Sequence, residues 1–531
     1  MKSYVMAVDD GTTGIRSILF DHDAEVVAQS YEELHQYFPR SGWCEQDPME
    51  IWEKAKKVMK KTVKNAKIDG KQIKAIGIAT QRSTNLLWDK QTGKPVYNAI
   101  TWQDTRAAGL CTSLEKTPKM KTVRGIGKAT KAMSQVLKGI QRTKTGARLI
   151  TTSTLSLPAA SSLAHTRWIM DEIQEASDLR KKQRLLCGTI DTWLIWNMTN
   201  GRVHATDFSN ASTSGMFDMY TESWSDFLLD IARVPSDILP MVNETNGDFG
   251  LLDKSILGVQ IPLCCAVADQ QAALFAEGCF QPGDVKCTNG TGSFIDMNVG
   301  SNPPASLHRL LPLVAWKIKG KTTYMLEGMI NTTGSAVQWL KDNLCIIDNA
   351  EQSDKMASSV NHTEGVYFVP AFTGLSSPYW DPHACGIVVG LNRRVQREHI
   401  VRAALEGIGY RCYDVIKAMH KSSGLSVRSL KADGGASKNN FLLQFLADML
   451  QVEVQRAGVL DGTALGAAYF AGLGSGFWKN EEEILRTRKI DKVFKPGFSV
   501  EKRDCLYEGW KNAIERALKW KTPLPDDLVE S

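Results

Sequence analysis

Two short segments, nearly half the chain apart, carry the same pattern, and they constrain the fold more than any other feature. The first runs Tyr4-Val-Met-Ala-Val8, Asp9-Asp-Gly-Thr-Thr-Gly-Ile15, then Arg16-Ser-Ile-Leu-Phe20. The second runs Val285-Lys-Cys-Thr-Asn289, Gly290-Thr-Gly292, then Ser293-Phe-Ile-Asp-Met-Asn298. In both, β-formers flank a bend of glycine and threonine, which predicts strand, tight turn, strand. Amides and threonine hydroxyls around glycine form a nest for phosphate oxygens, and a strand-end carboxylate can hold Mg²⁺ through water. A duplicated fold with one such hairpin per lobe is the economical explanation. The boundary falls at the turn-rich stretch Glu277–Gly283, dividing the chain into 1–278 and 279–531.

A length of 531 residues leaves room for two domains, and 43% hydrophobic with 23% charged residues is the balance of a globular chain. Strands alternate with helices: Lys74–Thr80 reads as a buried strand, and Ile51–Val63 as a helix. Asp47 caps that helix, Pro48 occupies its first position and Glu50 completes a capping box. The class is α/β. A net charge of +6 over this length implies neither nucleic acid nor an anionic membrane as partner. No apolar run approaches a bilayer span. Eleven cysteines without a Cys-x-x-Cys pair read as reduced thiols in a cytoplasmic setting. Between Lys116 and Arg148 lie ten Lys or Arg and no Asp or Glu. That segment reads as a solvated loop or short surface helices rather than an anion-binding arm. Gly125-Ile-Gly-Lys128 within it fails the Walker A pattern at both ends.

Two further loops carry chemistry. Asp433-Gly-Gly-Ala-Ser-Lys-Asn439 joins a strand at Ser429–Ala432 to a helix at Phe441–Leu450, where glycines let a ring or phosphate approach the backbone. Asp269 ends the apolar run Ile261–Val267 where a helix starts; it reads either as an ordinary N-cap or as a general base for an attacking hydroxyl.

With these stretches in view, the chain resembles the FGGY carbohydrate kinases, and within them the glycerol kinase branch. The matching segments include Asp9–Arg16, Gly42–Trp52, Gly188–Asp218, Ala268–Phe275, Gly290–Phe294, Ala371–Asp381, Asp433–Phe441 and Ala464–Trp478. The family's C-terminal pattern is met from Gly386 through Gly390 and His399 to Ala403 and Glu406. Cys187–Asp218, Ala268–Gly300 and the basic segment look most like a divergent animal branch. The resemblance implies two ribonuclease-H-like, actin/hexokinase-type domains with an interdomain active-site cleft, closing over ATP and a polyol. It implies Asp269 as catalytic base and Asp9 near Mg²⁺. Thr12, Thr13, Gly14, Arg16, Gly290, Thr291, Gly334 and Gln338 should serve the nucleotide, with Gly435 and Asn439 toward the adenosine. Arg82, Ser83, Trp102, Gln270 and Phe294 should line the polyol pocket. It also implies a small homo-oligomer.

Two departures concern that pocket. The family has glutamate after the pocket arginine, where this chain has Ser83, and a pocket tyrosine that aligns with Ala160. Losing the carboxylate removes a hydrogen bond worth roughly 1.5–3 kcal/mol to a substrate hydroxyl. Losing the tyrosine removes another contact and opens volume. Glycerol is the first expectation as acceptor; a different polyol or sugar, or a weakly catalytic nucleotide-binding regulatory protein, are the alternatives. The bacterial family's glycine-rich sugar-bisphosphate loop has no match in Leu251–Pro262.

Overall fold

A computed structural model describes residues 2–137, 139–458 and 461–520. Both predicted hairpins form, and each founds a sheet. In the first lobe Tyr4–Asp10 pairs antiparallel with Gly14–Phe20, which pairs with Val26–Glu33. On its other side Tyr4–Asp10 runs parallel to Ile73–Thr80, followed by Leu263–Ala268. In the second lobe Asp284–Asn289 pairs antiparallel with Ser293–Gly300, which pairs with Lys321–Ile330. On its other side Asp284–Asn289 runs parallel to Ser429–Asp433, followed by Val454–Ala457. The two five-stranded cores thus share one topology. The second lobe adds Leu311–Ile318 at one edge and Ile490–Phe494 at the other. The central strand Tyr4–Asp10 and the edge strand Leu263–Ala268 are buried almost throughout, as strands covered on both faces must be.

The lobes are not independent in their packing. The helix Gly462–Ser475, from the end of the chain, lies against Tyr4–Asp10, Ile73–Thr80 and Leu263–Ala268 of the first lobe. Ala464, Ala467, Ala468 and Ala471 join Val5, Ala79 and Val267 in one apolar cluster, which also takes in Trp316 and Met325 of the second sheet. Small residues make this possible. A Cβ on Gly77 would meet the Ala467 carbonyl at 2.1 Å, and one on Gly466 the Ala272 carbonyl at 2.0 Å.

Two local expectations need correction. The helix Pro48–Ala66 has Asp47 as its cap, accepting from the Met49 amide, but Glu50 closes no capping box. Its carboxylate instead accepts from the His35 amide and pairs with Lys54, because the neighbouring strand offers a partner. The basic segment is not a loop, and its helices are not all short: Pro118–Val136 is one helix of 19 residues, capped by Thr117, followed by the short helices Ile140–Arg142 and Lys144–Thr152. Its two glycines and scattered threonines weaken the local signal. Packing restores the helix, since Met120, Gly127 and Ser134 form a buried stripe seven residues apart. Gly127 sits so close to the Lys144–Thr152 helix and its end that a Cβ would meet the Ser153 amide at 2.3 Å.

Candidate active site

The facing surfaces of the lobes enclose a cleft of about 810 Å³. Thr12, Arg82, Ser83, Trp102, Asp269 and Phe294 all line it, together with Glu327 of the second sheet. Each is placed by a strand end or a turn. Arg82 and Ser83 follow Ile73–Thr80, and Ser83 holds a left-handed φ of 61°, which turns the chain sharply at the cleft. Asp269 opens the helix Asp269–Ala276 directly after Leu263–Ala268, but it does not cap that helix. Its Oδ1 accepts from the Gln270 amide at 2.7 Å and faces Arg82 Nε at 3.2 Å, with its side chain about one-third exposed.

Arg82 bridges two carboxylates. It donates to Glu327 at 2.6 Å and lies 5.4 Å over the Phe294 ring. Behind it Lys286 has no exposed surface and pairs with Asp296 at 3.0 Å. Two cations, Arg82 and Lys286, therefore face three carboxylates, Asp269, Asp296 and Glu327. Burial pushes the Asp296 and Glu327 carboxyls up, while Lys286 and Arg82 pull them back. Asp269 is the member of this cluster that meets solvent, with a free face for a substrate proton.

The first phosphate-type turn is closed by the Gly11 amide donating to the Gly14 carbonyl at 3.0 Å. A Cβ on Gly14 would meet the hydroxyl of the exposed Tyr31 at 2.2 Å, so a larger residue there would displace that ring. Trp102 Nε1 donates to Thr12 Oγ1 at 2.9 Å, tying the turn to the wall of the cleft. Arg16 spans Asp9, at 2.7 Å, and Asp461 at the start of the Gly462–Ser475 helix. The second turn mirrors the first: the Gly290 amide donates to Gly292, and the Gly334 amide to Gly290, at 2.8 and 3.0 Å. The helix Gly334–Asp342 therefore points its N-terminus at the Gly290–Thr291 turn, as an anion site requires. The third loop folds back on the second turn. Gly434 adopts φ +85°, and a Cβ there would meet the Asn289 carbonyl at 2.5 Å, whereas a Cβ on Gly435 would meet nothing.

Some expected residues are otherwise engaged. Gln270 Oε1 accepts from Lys286 at 2.8 Å. Gln338 is exposed and bonded to Asp342. Asn439 caps the helix Asn440–Leu450, accepting from the Leu442 amide at 2.9 Å, and donates to Ser353. Glu327, Lys286 and Asp461 were missed by sequence reasoning. Glu327 lies 245 residues from its partner Arg82, and nothing local marks it.

A divalent cation suits the first turn. Burial pushes the Asp9 carboxyl up, Arg16 pulls it back, and the nearby Asp269 and Asp461 push it up again, a residual repulsion a cation relieves. Among the described residues no three acidic, histidine or cysteine side chains form a cage. That suits Mg²⁺, which binds through one or two carboxylates, waters and phosphate oxygens.

Comparison with known proteins agrees with this geometry. The N-terminal domain model of the FGGY family of carbohydrate kinases matches residues 4–138 and 128–276, and the C-terminal domain model matches 285–475. The chain is 48% identical over 520 residues to a glycerol kinase of Caldanaerobacter subterraneus subsp. tengcongensis, covering 98% of this chain and 99% of that one. It is 45% identical to glycerol kinase 2 of Thermotoga maritima over 518 residues, with the same coverage. Among solved structures, Plasmodium falciparum glycerol kinase with ADP superposes with a TM-score of 0.87 at 29% identity, covering 98% of this chain and 99% of that one. A xylulose kinase of Lactobacillus acidophilus shares the fold, with a TM-score of 0.79 at 20% identity and 97% and 99% coverage.

Proposed function

From the premise that this chain belongs to the FGGY family of carbohydrate kinases, we propose that it transfers the γ-phosphoryl group of ATP to glycerol, giving sn-glycerol 3-phosphate. Asp269 is the general base. It accepts the proton of a terminal hydroxyl as that oxygen attacks the γ-phosphorus in line, and ADP leaves with the electrons of the broken bond. Arg82, charged and fixed by Glu327, orients the hydroxyls and holds Asp269 at the point of attack. Amides of the Gly11–Thr13 and Gly290–Thr291 turns, with Arg16, face the phosphate oxygens. Asp9 would hold Mg²⁺, which when bound neutralises phosphate charge. Closure of the two lobes excludes water, the competing acceptor. Thr12, Thr13, Gly14, Gly334, Gln338, Gly435 and Asn439 line the path of the nucleotide. The chain's free thiols suit a cytoplasmic setting.

The observation that carries this reading is Asp269: a carboxylate at a parallel-strand end, exposed to the cleft and oriented by a buried arginine. An ADP-release assay with Mg-ATP and glycerol tests it. Asp269→Asn should cut turnover by about 10²–10⁴-fold, while the thermal shift produced by ATP stays within a degree or two of the parent's. Retained turnover would remove Asp269 as the base.

A further inference from the structure

The acceptor end of the cleft has more apolar wall than a three-carbon polyol needs. The whole cleft, phosphate-turn side included, measures about 810 Å³, in the range that holds drug-sized ligands. Ser83 and Ala160, the two positions where the family's glutamate and tyrosine are missing, both open onto it. Lobe closure narrows the cleft from the second lobe, but both positions lie in the first lobe, so the room they leave moves with it.

The chemistry of the walls decides what fills that room. Hydroxyls are present, but their protons are committed inward. Ser83 Oγ donates to the Thr213 carbonyl at 2.9 Å and Ser161 Oγ to Pro158 at 2.7 Å. Ser212 Oγ donates to Ser209 at 2.8 Å and Thr213 Oγ1 to Asn210 at 2.9 Å. The opposite wall is a sheet face on which Phe294 pairs with Met329, and Glu327 with Leu311. Glu327 on that face is already paired with Arg82, and Asp296 beside it with Lys286. Leu311 and Trp380 remain 39% and 41% exposed toward a cleft that they line. Arg309 is the remaining cation of the lining and donates to the Tyr379 carbonyl; away from it a larger sugar would bury hydroxyls against groups that offer few donors, which is costly. An apolar chain would lose nothing and bury area.

We propose that the preferred acceptor is a glycerol headgroup carrying an apolar substituent, of the short 1-alkylglycerol class. The substituent lies along Ala160, Leu311 and Trp380, and the free terminal hydroxyl lies at Asp269. The reaction is the one described above: the hydroxyl proton passes to Asp269, the new O–P bond forms at the γ-phosphorus, and ADP leaves with the bonding pair. The product is a phosphomonoester of the alkylglycerol. This inference rests on the kinase reading and deepens it.

The test is a kcat/KM series on the full chain with Mg-ATP, comparing glycerol with 1-O-ethyl-, 1-O-butyl- and 1-O-hexylglycerol below their micellar range. The expected result is a rise of about threefold per added methylene until the cleft is filled, expressed mainly in KM. The double substitution Ser83→Glu with Ala160→Tyr should invert the order, favouring glycerol. Leu311→Gln, at a partly exposed site, should flatten the series while melting within a few degrees of the parent. Glycerol used as well as or better than the alkyl series would overturn this inference and leave the kinase reading intact. ATP binding without turnover of any member would overturn both.

Discussion

At the scale of single residues, the site is built from charges whose environments differ by a few ångströms. Asp269 meets solvent, while Asp10, next to Asp9 in the chain, is sealed. Asp10 Oδ1 has no hydrogen-bond partner among the described residues, and Oδ2 accepts from Gln81 at 3.0 Å. Burial outweighs that bond and pushes the carboxyl from 3.8 up to about 8. The folded chain therefore keeps a proton that the unfolded chain releases across that window, so Asp10's contribution to stability falls as pH rises from about 4 to about 8. Asp10→Asn preserves shape and has no such proton. Melting followed at pH 5 and pH 8 should show a smaller loss in the variant, which should be the more stable protein at pH 8. Parallel losses would contradict the burial argument. Asp10 was read in the sequence only as part of a turn; its isolation comes from the strands on either side.

At the scale of elements, the closest contacts are between backbones. The helix Gly462–Ser475 approaches Ile73–Thr80 and Asp269–Ala276 at Gly77 and Gly466, where no side chain fits. Gly466→Ala would press a methyl onto the Ala272 carbonyl, so the helix must shift. We expect a loss of about 1–3 kcal/mol in urea unfolding, despite alanine's better helix propensity. A stabilised variant would mean the approach is looser than described. The shift should also disturb Asp269, because its helix is the one displaced, so turnover should fall with stability. The sequence shows alanines and glycines at 462–475, but neither the helix they form nor which surface needs them small.

For the whole molecule, among the described residues the two lobes meet through two apolar clusters and through charge pairs that include Arg82 with Glu327 and Arg16 with Asp461. The first of these is nearly buried on both sides, at 14% and 3% side-chain exposure. Glu327→Ala would leave Arg82 with Asp269 as its remaining ion-pair partner and strip a buried charge of its main support. Unfolding free energy should drop by about 3–5 kcal/mol, with acceptor KM rising and the ATP-induced thermal shift retained. Unchanged stability would indicate that the pair forms only in part of the population. The same contact ties acceptor orientation to lobe position, since its members come from opposite lobes.

The sequence by itself determined the two hairpins, the third glycine loop and the strand-end place of Asp269. Their signals are local: β-formers around glycine and threonine, and an apolar run ending in a carboxylate. It also determined the family, because that rests on motifs spread over nearly the whole chain. Only the tertiary structure decided that Pro118–Val136 is a helix, since Gly127 is matched by a neighbour that needs closeness. Only pairing across 245 residues revealed Glu327 as the partner of Arg82. The inward turn of the cleft's hydroxyls was likewise invisible, because a serine's partner is set by where the backbone returns, not by what precedes it in the chain.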